Sequence, residues 1–322
     1  MDKKDLRIVF MGTPEFAVAQ LEAIIDSGYN VVGVVTSPDR KAGRGRKMKM
    51  SAVKAYAQSR NLNILQPTNL KDDIFIQDLK DLKPNLQVVV AFRMLPKIVW
   101  NIPTLGTFNL HASLLPQYRG AAPINYAIIN GENETGLTTF LIDDKIDTGE
   151  ILLQKKVKIN DNDDAGDLHD RLMKEGCSVI LDTIEGISTN SLKPVSQMVN
   201  NVTLKNAHKI SKEDCKINWH NPSHIIRNFI RGLSPYPAAH SILKSNLSSN
   251  EMSVKIYKVE IAKKVPQEAT PGTIFSDDKT YMSVATTSGT LNICEIQIEG
   301  KRRMKIEELL RGFSNIQDYT LL

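Results

Sequence analysis

Cysteine is scarce in this sequence. Only three occur among 322 residues, Cys177, Cys215 and Cys294, and they lie far apart along the chain. Because their number is odd and no CxxC pair is present, they can form neither a disulfide framework nor a metal site of the usual spacing. We therefore expect all three thiols to be reduced and structural.

Long apolar runs are also missing. No stretch approaches the roughly 20 apolar residues that a membrane-spanning helix needs. The first residues, MDKKDLRIVFMG, pass from a charged tip into a predicted strand without the apolar block and cleavage site of a signal peptide. With 41% hydrophobic and 24% charged residues, the composition is that of an ordinary globular protein. These features predict a soluble, cytoplasmic protein.

Several catalytic motifs are absent. The first predicted strand-to-helix turn, MGTPEF, holds one glycine instead of GxGxxG, which argues against a nicotinamide enzyme. No GxSxG occurs, and the six histidines show no HExxH spacing, so we expect neither a serine hydrolase nor a metal site. Thr13, Pro14 and Glu15 fit the N-cap, N1 and N2 positions of a helix. That helix start is either purely structural or receives part of a substrate.

The first half of the chain alternates short β-branched runs with helical patterns. LRIVFMG, NVVGVVT, LQVVVAF and GTFNLHAS read as strands, and amphipathic stretches separate them. This alternation predicts an α/β fold with a mostly parallel, Rossmann-like sheet and helices on both faces. Ligands of such sheets bind at the carboxyl ends of the strands.

The pattern changes in the second half. A polar, aperiodic stretch over residues 188–207 predicts a linker between a first domain, residues 1–187, and a second domain, residues 208–322. The second domain contains short strands at regular spacing, which are typical of a small barrel or a sandwich.

The positive charge is unevenly distributed. The net charge of +5 is too mild to indicate a nucleic-acid partner by itself. However, RKAGRGRKMKMSAVK, from Arg40 to Lys54, carries seven Lys and Arg residues and no acid, and Gly43 and Gly45 interrupt it. We interpret it as a flexible basic loop that binds a partner, although a mobile surface loop without a partner remains an alternative. From Lys209 onwards, Lys and Arg again outnumber Asp and Glu.

Asn109 and His111 are candidates for chemistry. Residues two apart on a strand share a face, so both side chains lie on the same side as Ser113. Buried polar groups are costly unless they are bonded or used, so these are either satisfied core residues or a site. An amide and an imidazole can together stabilise the oxyanion that develops on an attacked carbonyl. The pair therefore suits acyl-type transfer to an amine.

Such a site also needs a carboxylate that fixes the imidazole and helps to remove the proton of the amine. Asp143, Asp144 and Asp147 lie in LIDDKIDTGEIL, a predicted turn between two strands. We expect Asp143 and Asp144 to be ordinary turn residues, which leaves Asp147. Direct attack by a bound amine on a cofactor-borne acyl group is the simplest scheme.

Six segments carry a family resemblance. FMGTPEF, PDRKAGRGRK, FNLHASLLPQYRGAAPIN, IDTGEIL, KISKEDCKINW and IRGLSPYP occur in an order and spacing that resemble the methionyl-tRNA branch of the folate-dependent formyltransferases, from Leu6 to Tyr319. The N-x-H-x-S-L-L-P core is common to the whole family, whereas the basic loop and the C-terminal segments resemble only that branch. The resemblance implies transfer of a formyl group from 10-formyltetrahydrofolate to the α-amino group of methionine on initiator tRNA, by direct amine attack through a tetrahedral intermediate. It also implies that the second domain is an OB-like barrel.

The resemblance also implies residue roles. Asn109 and His111 polarise the formyl oxygen and stabilise the intermediate, while Asp147 orients His111 and assists proton removal. The folate pocket is formed by Ser113, Leu114, Leu115, Pro116, Phe92 and Met94. The tRNA is bound by Arg40, Lys41, Arg44, Arg46, Lys47, Lys209 and Lys212, with Arg44 foremost. We expect a monomer, no membrane association and no role for a metal.

Two alternatives remain. A formyltransferase for a small amine, such as a nucleotide sugar or glycinamide ribonucleotide, would keep the same three catalytic residues but has no use for the basic loop. A non-catalytic RNA-binding protein on a former folate-enzyme fold predicts loss of the catalytic residues, yet Asn109, His111 and Asp147 are all present.

Overall fold

Two compact units make up the computed structural model of the chain, which describes residues 1–42, 47–198, 203–262 and 269–322. The N-terminal unit comprises Met1–Gly120, Thr135–Lys158 and His169–Asn206. The C-terminal unit comprises Ala121–Glu134, Ile159–Leu168 and Ala207–Leu322. Each unit is therefore assembled from separate stretches of the chain.

Strands and helices alternate over the first 188 residues, as the sequence predicts. In chain order they are β1 (Arg7–Gly12), α1 (Glu15–Asp26), β2 (Asn30–Val35), β3 (Arg40–Ala42), β4 (Lys47–Lys49), α2 (Ala52–Ser59), β5 (Ile64–Leu65), α3 (Asp73–Asp81), β6 (Leu86–Val90), α4 (Lys97–Trp100), β7 (Thr107–His111), β8 (Arg119–Gly120), α5 (Pro123–Ile129), β9 (Glu134–Leu141), β10 (Ile151–Lys158) and α6 (Ala165–Ser188).

The N-terminal unit is built on a seven-stranded sheet in the order β10-β9-β7-β6-β1-β2-β5. The strands from β7 to β5 pair in parallel, and β9 pairs with β7 in the antiparallel sense. All five residues of β6 are buried, as expected for a parallel strand covered on both faces. The predicted Rossmann-like sheet is confirmed. Its topology brings the carboxyl ends of β1, β6 and β7, at Gly12, Val90 and His111, to one edge.

The start of α1 differs from the prediction. Pro14, not Thr13, occupies the N-cap position, and no side chain caps the helix there. The Pro14 carbonyl accepts the Ala17 N–H at 3.0 Å, while the Thr13 carbonyl accepts the Val53 N–H at 3.3 Å. Thr13 therefore contacts α2 through its main-chain carbonyl and does not cap α1.

The basic segment is also more ordered at its ends than expected. β3 and β4 form an antiparallel pair in which Arg40 lies opposite Lys49, so the flanks of the predicted flexible loop are strands. Arg44 and Arg46 lie outside the described residues. Arg40 and Lys41 are exposed.

The C-terminal unit contains an antiparallel barrel. Its further elements are β11 (Asn206–Ala207), α7 (Ser223–Leu233), β12 (Ala239–Ser245), β13 (Glu251–Ile261), β14 (Ile274–Ser276), β15 (Met282–Thr286), β16 (Gly289–Ile298), β17 (Met304–Lys305), α8 (Ile306–Leu310) and β18 (Tyr319–Leu321). The strand order is β14-β15-β16-β13-β12-β18, and the Leu321 N–H donates to the Gly272 carbonyl at 3.0 Å beside β14. The sheet is thus nearly closed, which confirms the OB-like barrel.

One face of α7 covers the barrel core. Ile226, Ile230 and Leu233 of this helix are buried in the same cluster as Val254 and Ile296 of β13 and β16. Across the described ranges, no helix combines the length and apolar character needed to cross a membrane.

Candidate active site

The end of β7 holds the Asn109 and His111 side chains in different environments. His111 is 6% exposed, and its Nε2 lies 2.9 Å from the Tyr118 carbonyl oxygen. Since a carbonyl only accepts, Nε2 carries a hydrogen and donates it. Asn109 is half-buried, and the described part of the chain provides no hydrogen-bond partner for its amide. One side chain is therefore held in place, and the other is available to a ligand.

Asp147 lies beside the free ring nitrogen of His111. Its Oδ2 is 3.8 Å from His111 Nδ1, an ion-pair distance longer than a direct hydrogen bond, and the same oxygen accepts the Gly120 N–H at 2.9 Å. The Asp147 side chain is only 16% exposed. The structure thus brings together the imidazole and the carboxylate chosen from the sequence, and a proton on Nδ1 would complete an ion pair.

The two neighbouring acids stabilise the turn or face solvent. Asp143 accepts hydrogen bonds from the Lys145 N–H at 2.9 Å and from the Thr148 hydroxyl at 2.8 Å. Asp144 is exposed, and its carboxylate lies 4.0 Å from Lys97 Nζ, a surface contact of little energetic weight. Both act as turn residues.

The turn that carries Asp147 has an unusual backbone. Asp147 has a φ of 54°, in the left-handed region that residues with a Cβ seldom adopt. Two residues later, a Cβ on Gly149 would collide with the carbonyl oxygen of Leu141, the last residue of β9. The carboxylate therefore depends on a turn that only glycine can close.

Gly149→Ala is expected to destabilise the N-terminal unit by about 3 kcal/mol or more, because the added methyl group overlaps main chain that cannot move aside. A thermal unfolding curve recorded by near-UV circular dichroism measures the effect. Gly312→Ala is the control, since no atom lies within 4 Å of a Cβ at that position. Equal melting temperatures for the two variants would contradict the prediction.

Gln197 and Arg119 contact the same turn. The Gln197 amide donates from Nε2 to the carbonyl oxygens of Asp147 at 3.0 Å and Gly149 at 2.8 Å. Arg119 donates to Gln197 Oε1 at 2.6 and 3.2 Å. Gln197 belongs to the stretch interpreted as a linker, in which nearby Val195 pairs with Ile151 of β10. One glutamine in a polar, aperiodic segment carries no sequence signal of such a role.

The loop Ser113–Pro116 is held by side chains of β9 and β10. Thr138 donates to the Ser113 carbonyl at 2.6 Å and accepts the Leu115 N–H at 3.1 Å, while Gln154 donates to the Leu115 carbonyl at 2.8 Å. Ser113 and Leu115 are buried, whereas Leu114 and Pro116 are half-buried. Among the four loop residues predicted for the folate pocket, Leu114 and Pro116 are therefore the more accessible to a ligand.

The segment after β6 supplies the other predicted pocket residues. Phe92 is half-buried and Met94 is 63% exposed. Within the described residues, the main-chain N–H and C=O groups of Phe92, Arg93 and Met94 make no hydrogen bond. The Arg93 side chain donates to the carbonyls of Pro67 and Thr68, and burial, with the nearby charge of Arg40, lowers the pKa of its guanidinium. Free main-chain groups at this edge of the sheet are open to a polar ligand.

A basic patch lies on the C-terminal unit. We define it by Lys212, Lys216, Lys255 and His240, of which the three lysines are exposed. Burial lowers the pKa of His240, and the charges of the three lysines lower it further. Lys209 is exposed nearby in sequence. The structure gives Lys47 a place in β4.

Metal ligands are not clustered in the described residues. No group of three or more His, Cys, Asp or Glu side chains there could hold a metal ion. At the end of β7, the functional groups are the Asn109 amide, the His111 imidazole and the Asp147 carboxylate.

Two family models match the chain. The formyl transferase model covers residues 6–184, and the model of the formyl transferase C-terminal domain covers residues 209–314. The methionyl-tRNA formyltransferase of Bacteroides fragilis is 51% identical over 315 residues, 97% of each chain. That of Flavobacterium johnsoniae is 52% identical over 309 residues, 96% of each chain. The similarity therefore extends through both units.

Solved structures share the fold at low sequence identity. The N-formyltransferase from Helicobacter canadensis, in complex with folinic acid and dTDP-3-aminofucose, has a TM-score of 0.64 at 22% identity over 93% of this chain and 100% of its own. HypX from Aquifex aeolicus, in complex with tetrahydrofolic acid, has a TM-score of 0.63 at 14% identity over 94% of this chain and 46% of its own.

Proposed function

This chain belongs to the methionyl-tRNA formyltransferases, and we propose that it transfers the formyl group of 10-formyltetrahydrofolate to the α-amino group of methionine on initiator tRNA. The observation that carries the proposal is the end of β7, where Asn109 lies on the same strand face as His111 and Asp147 lies beside the imidazole. The Asn109 amide has no hydrogen-bond partner among the described residues. In this proposal residues 1–187 form the catalytic domain, and residues 208–322 bind the tRNA. The protein acts as a monomer in the cytoplasm.

Asn109 and His111 stabilise negative charge on the attacked formyl oxygen. The Asn109 amide, which has no partner in the described chain, donates a hydrogen bond to that oxygen. When Nδ1 is protonated, His111 adds positive charge. Asp147, 3.8 Å from Nδ1, stabilises that charge, and the Tyr118 carbonyl holds the ring through Nε2. The imidazole is held before the reaction by its hydrogen bond to the Tyr118 carbonyl, so little reorganisation of His111 is needed as charge develops.

Asp147 completes the proton transfer. The acceptor must lose a proton as its nitrogen attacks the formyl carbon, and a carboxylate paired with an imidazole can take it. The bond between the formyl carbon and N10 of the donor then breaks, and the same proton can pass to that nitrogen, so that tetrahydrofolate leaves neutral. The Gly120 N–H bonded to Oδ2 keeps the Asp147 carboxylate turned towards His111. The three side chains therefore divide the work between oxyanion stabilisation and proton removal.

The residues at the carboxyl edge fit a folate. When bound, 10-formyltetrahydrofolate supplies the activated formyl group. The free main-chain groups of Phe92 to Met94 match the donors and acceptors at the edge of a pterin ring, and the Phe92 side chain offers apolar contact. Leu114 and Pro116 provide further half-buried wall. These features support a folate as the formyl donor.

The exposed basic residues fit a tRNA. Arg40, Lys41, Lys209 and Lys212 are exposed cations, and tRNA phosphates are their natural counter-charges. We extend the proposed tRNA surface to the basic patch, where burial, and after it the charges of the three lysines, lower the pKa of His240. Arg44, although outside the described residues, remains our proposal for the acceptor stem.

Lys212→Ala is expected to weaken tRNA binding and to reduce the slope of log K against log salt by about 0.9, the value for one phosphate contact. Filter binding over a range of KCl concentrations measures that slope. Lys244→Ala is the control, because the Lys244 ammonium is already paired with Glu251 at 3.1 Å. A slope equal to that of the parent would remove Lys212 from the tRNA surface.

A panel of three acceptors tests the proposed function. The enzyme is given 10-formyltetrahydrofolate with charged initiator tRNA, charged elongator methionyl-tRNA or a small amine, and formylated product is measured by mass spectrometry. We expect formylation of the initiator species. Product from the small amine alone would overturn the proposal.

A further inference from the structure

We propose that Gln197 and Arg119 are positioning residues that hold the Asp147 turn in its reactive geometry. The inference rests on the proposed function of Asp147, and it assigns a role to Arg119 and to the segment that follows α6. We call these two residues the Arg119–Gln197 clamp.

The clamp holds the turn through its main chain. Gln197 Nε2 donates to the Asp147 carbonyl at 3.0 Å and to the Gly149 carbonyl at 2.8 Å, one on each side of Thr148. In the described chain, no other residue donates to these two carbonyls. With its positive φ, the backbone of Asp147 is not held by local preference. A donor from elsewhere in the chain is therefore needed to hold this conformation.

Arg119 decides which way the Gln197 amide faces. A guanidinium has only donors, so the group that lies 2.6 Å from it must be the amide oxygen, and the amide nitrogen then points to the two carbonyls. Without Arg119, the amide could turn over and place its oxygen against carbonyl oxygens. The cation thus acts on the turn through Gln197.

The same dipeptide reaches Asp147 from a second side. Gly120, the residue after Arg119, donates its N–H to Asp147 Oδ2 at 2.9 Å. One contact aims the carboxylate, and the clamp fixes the main chain from which it extends. A displacement of 1 Å would change the 3.8 Å separation between Asp147 and His111 by about a quarter, and misplacements of about that size can cost roughly 10²-fold in rate.

Gln197→Glu tests the hydrogen bonds donated by the Gln197 amide separately from the size of the side chain. The variant keeps the size and the oxygen facing Arg119, but it replaces the amide donor with a carboxylate oxygen that faces two carbonyls. We expect kcat to fall by roughly 10- to 100-fold, with KM for both substrates close to that of the parent. Ser196→Ala is the matched control, because Ser196 is the neighbouring residue and its hydroxyl donates to the side chain of exposed Glu150 at 3.3 Å.

A double-mutant cycle tests whether the two residues act together. The double variant Arg119→Ala, Gln197→Glu is expected to lose little more activity than the worse single variant, because both substitutions disrupt the same contact with the Asp147 turn. Fully additive losses would contradict the clamp. So would a Gln197→Glu enzyme with the kcat of the parent, or one whose lower rate is explained by a smaller folded fraction.

Hydrogen–deuterium exchange gives a readout that needs no acceptor. We expect faster exchange in the peptide spanning residues 143–150 of Gln197→Glu, and unchanged exchange there in Ser196→Ala. If no acceptor is formylated by the parent, the proposed function fails, and this measurement still decides the inference. Equal exchange in parent and Gln197→Glu overturns the clamp.

Discussion

His111→Gln is expected to lower kcat by about 10²- to 10³-fold, the usual cost of losing one group that stabilises a developing oxyanion. The variant keeps a side-chain N–H that can reach the Tyr118 carbonyl, so the buried acceptor stays satisfied. It cannot carry the positive charge that Asp147 would support. Single-turnover formylation of charged initiator tRNA at saturating folate measures the chemical step directly.

His169→Gln is the matched control for this experiment. His169 also lies beside a carboxylate, with Nδ1 3.0 Å from Asp170, but this pair is far more exposed than His111 and Asp147. We expect its rate to equal that of the parent. If His111→Gln lost only a few fold, His111 would be a structural residue whose main task is the hydrogen bond to Tyr118.

Asp147→Asn is expected to lower kcat by about 10²- to 10⁴-fold, the range for removal of a group that transfers a proton. Asparagine keeps the shape and an oxygen that can accept the Gly120 N–H, so the turn retains its contact. The substitution removes the charge that stabilises a protonated His111 and the base that takes the proton of the amine. The same single-turnover assay measures the effect.

Asp144→Asn controls for the loss of a carboxylate in the same turn. Asp144 is exposed, and its contact with Lys97, at 4.0 Å, is weak, so the substitution should leave the rate unaltered. A parent-like rate for Asp147→Asn would assign proton removal to solvent and leave Asp147 without the role proposed for it.

The shared face of Asn109 and His111 on β7 could be predicted because strand geometry is local. Side chains alternate along a strand, so the spacing of Asn109 and His111 placed them on one face. The apolar run of β6 and the turn after β9 could likewise be predicted from short segments of the sequence. Local rules failed at Thr13, where cap chemistry suited the residue but the helix began one position later, with Pro14 at the cap.

Other parts of the site depend on residues far apart in the chain. Gln197 contacts Asp147 across 50 positions and Arg119 across 78, within a segment whose composition is that of a linker. Thr138 and Gln154, which hold the loop Ser113–Pro116, are ordinary strand residues in any local window. No pattern in the neighbourhood of these residues indicates which partner they meet.

Periodicity and residue type were therefore sufficient for the α/β order, the short, regularly spaced strands of the second unit and the shared face of Asn109 and His111. The barrel and the role of Asp147 were expected from the family resemblance. The 3.8 Å separation of that acid from His111, its left-handed backbone and the clamp around it follow from packing of the complete sheet. The physical reason is the distance along the chain over which each kind of interaction acts. Strand and helix preferences act over a few residues, whereas the position of a carboxylate is set by contacts that form only when distant segments are packed together.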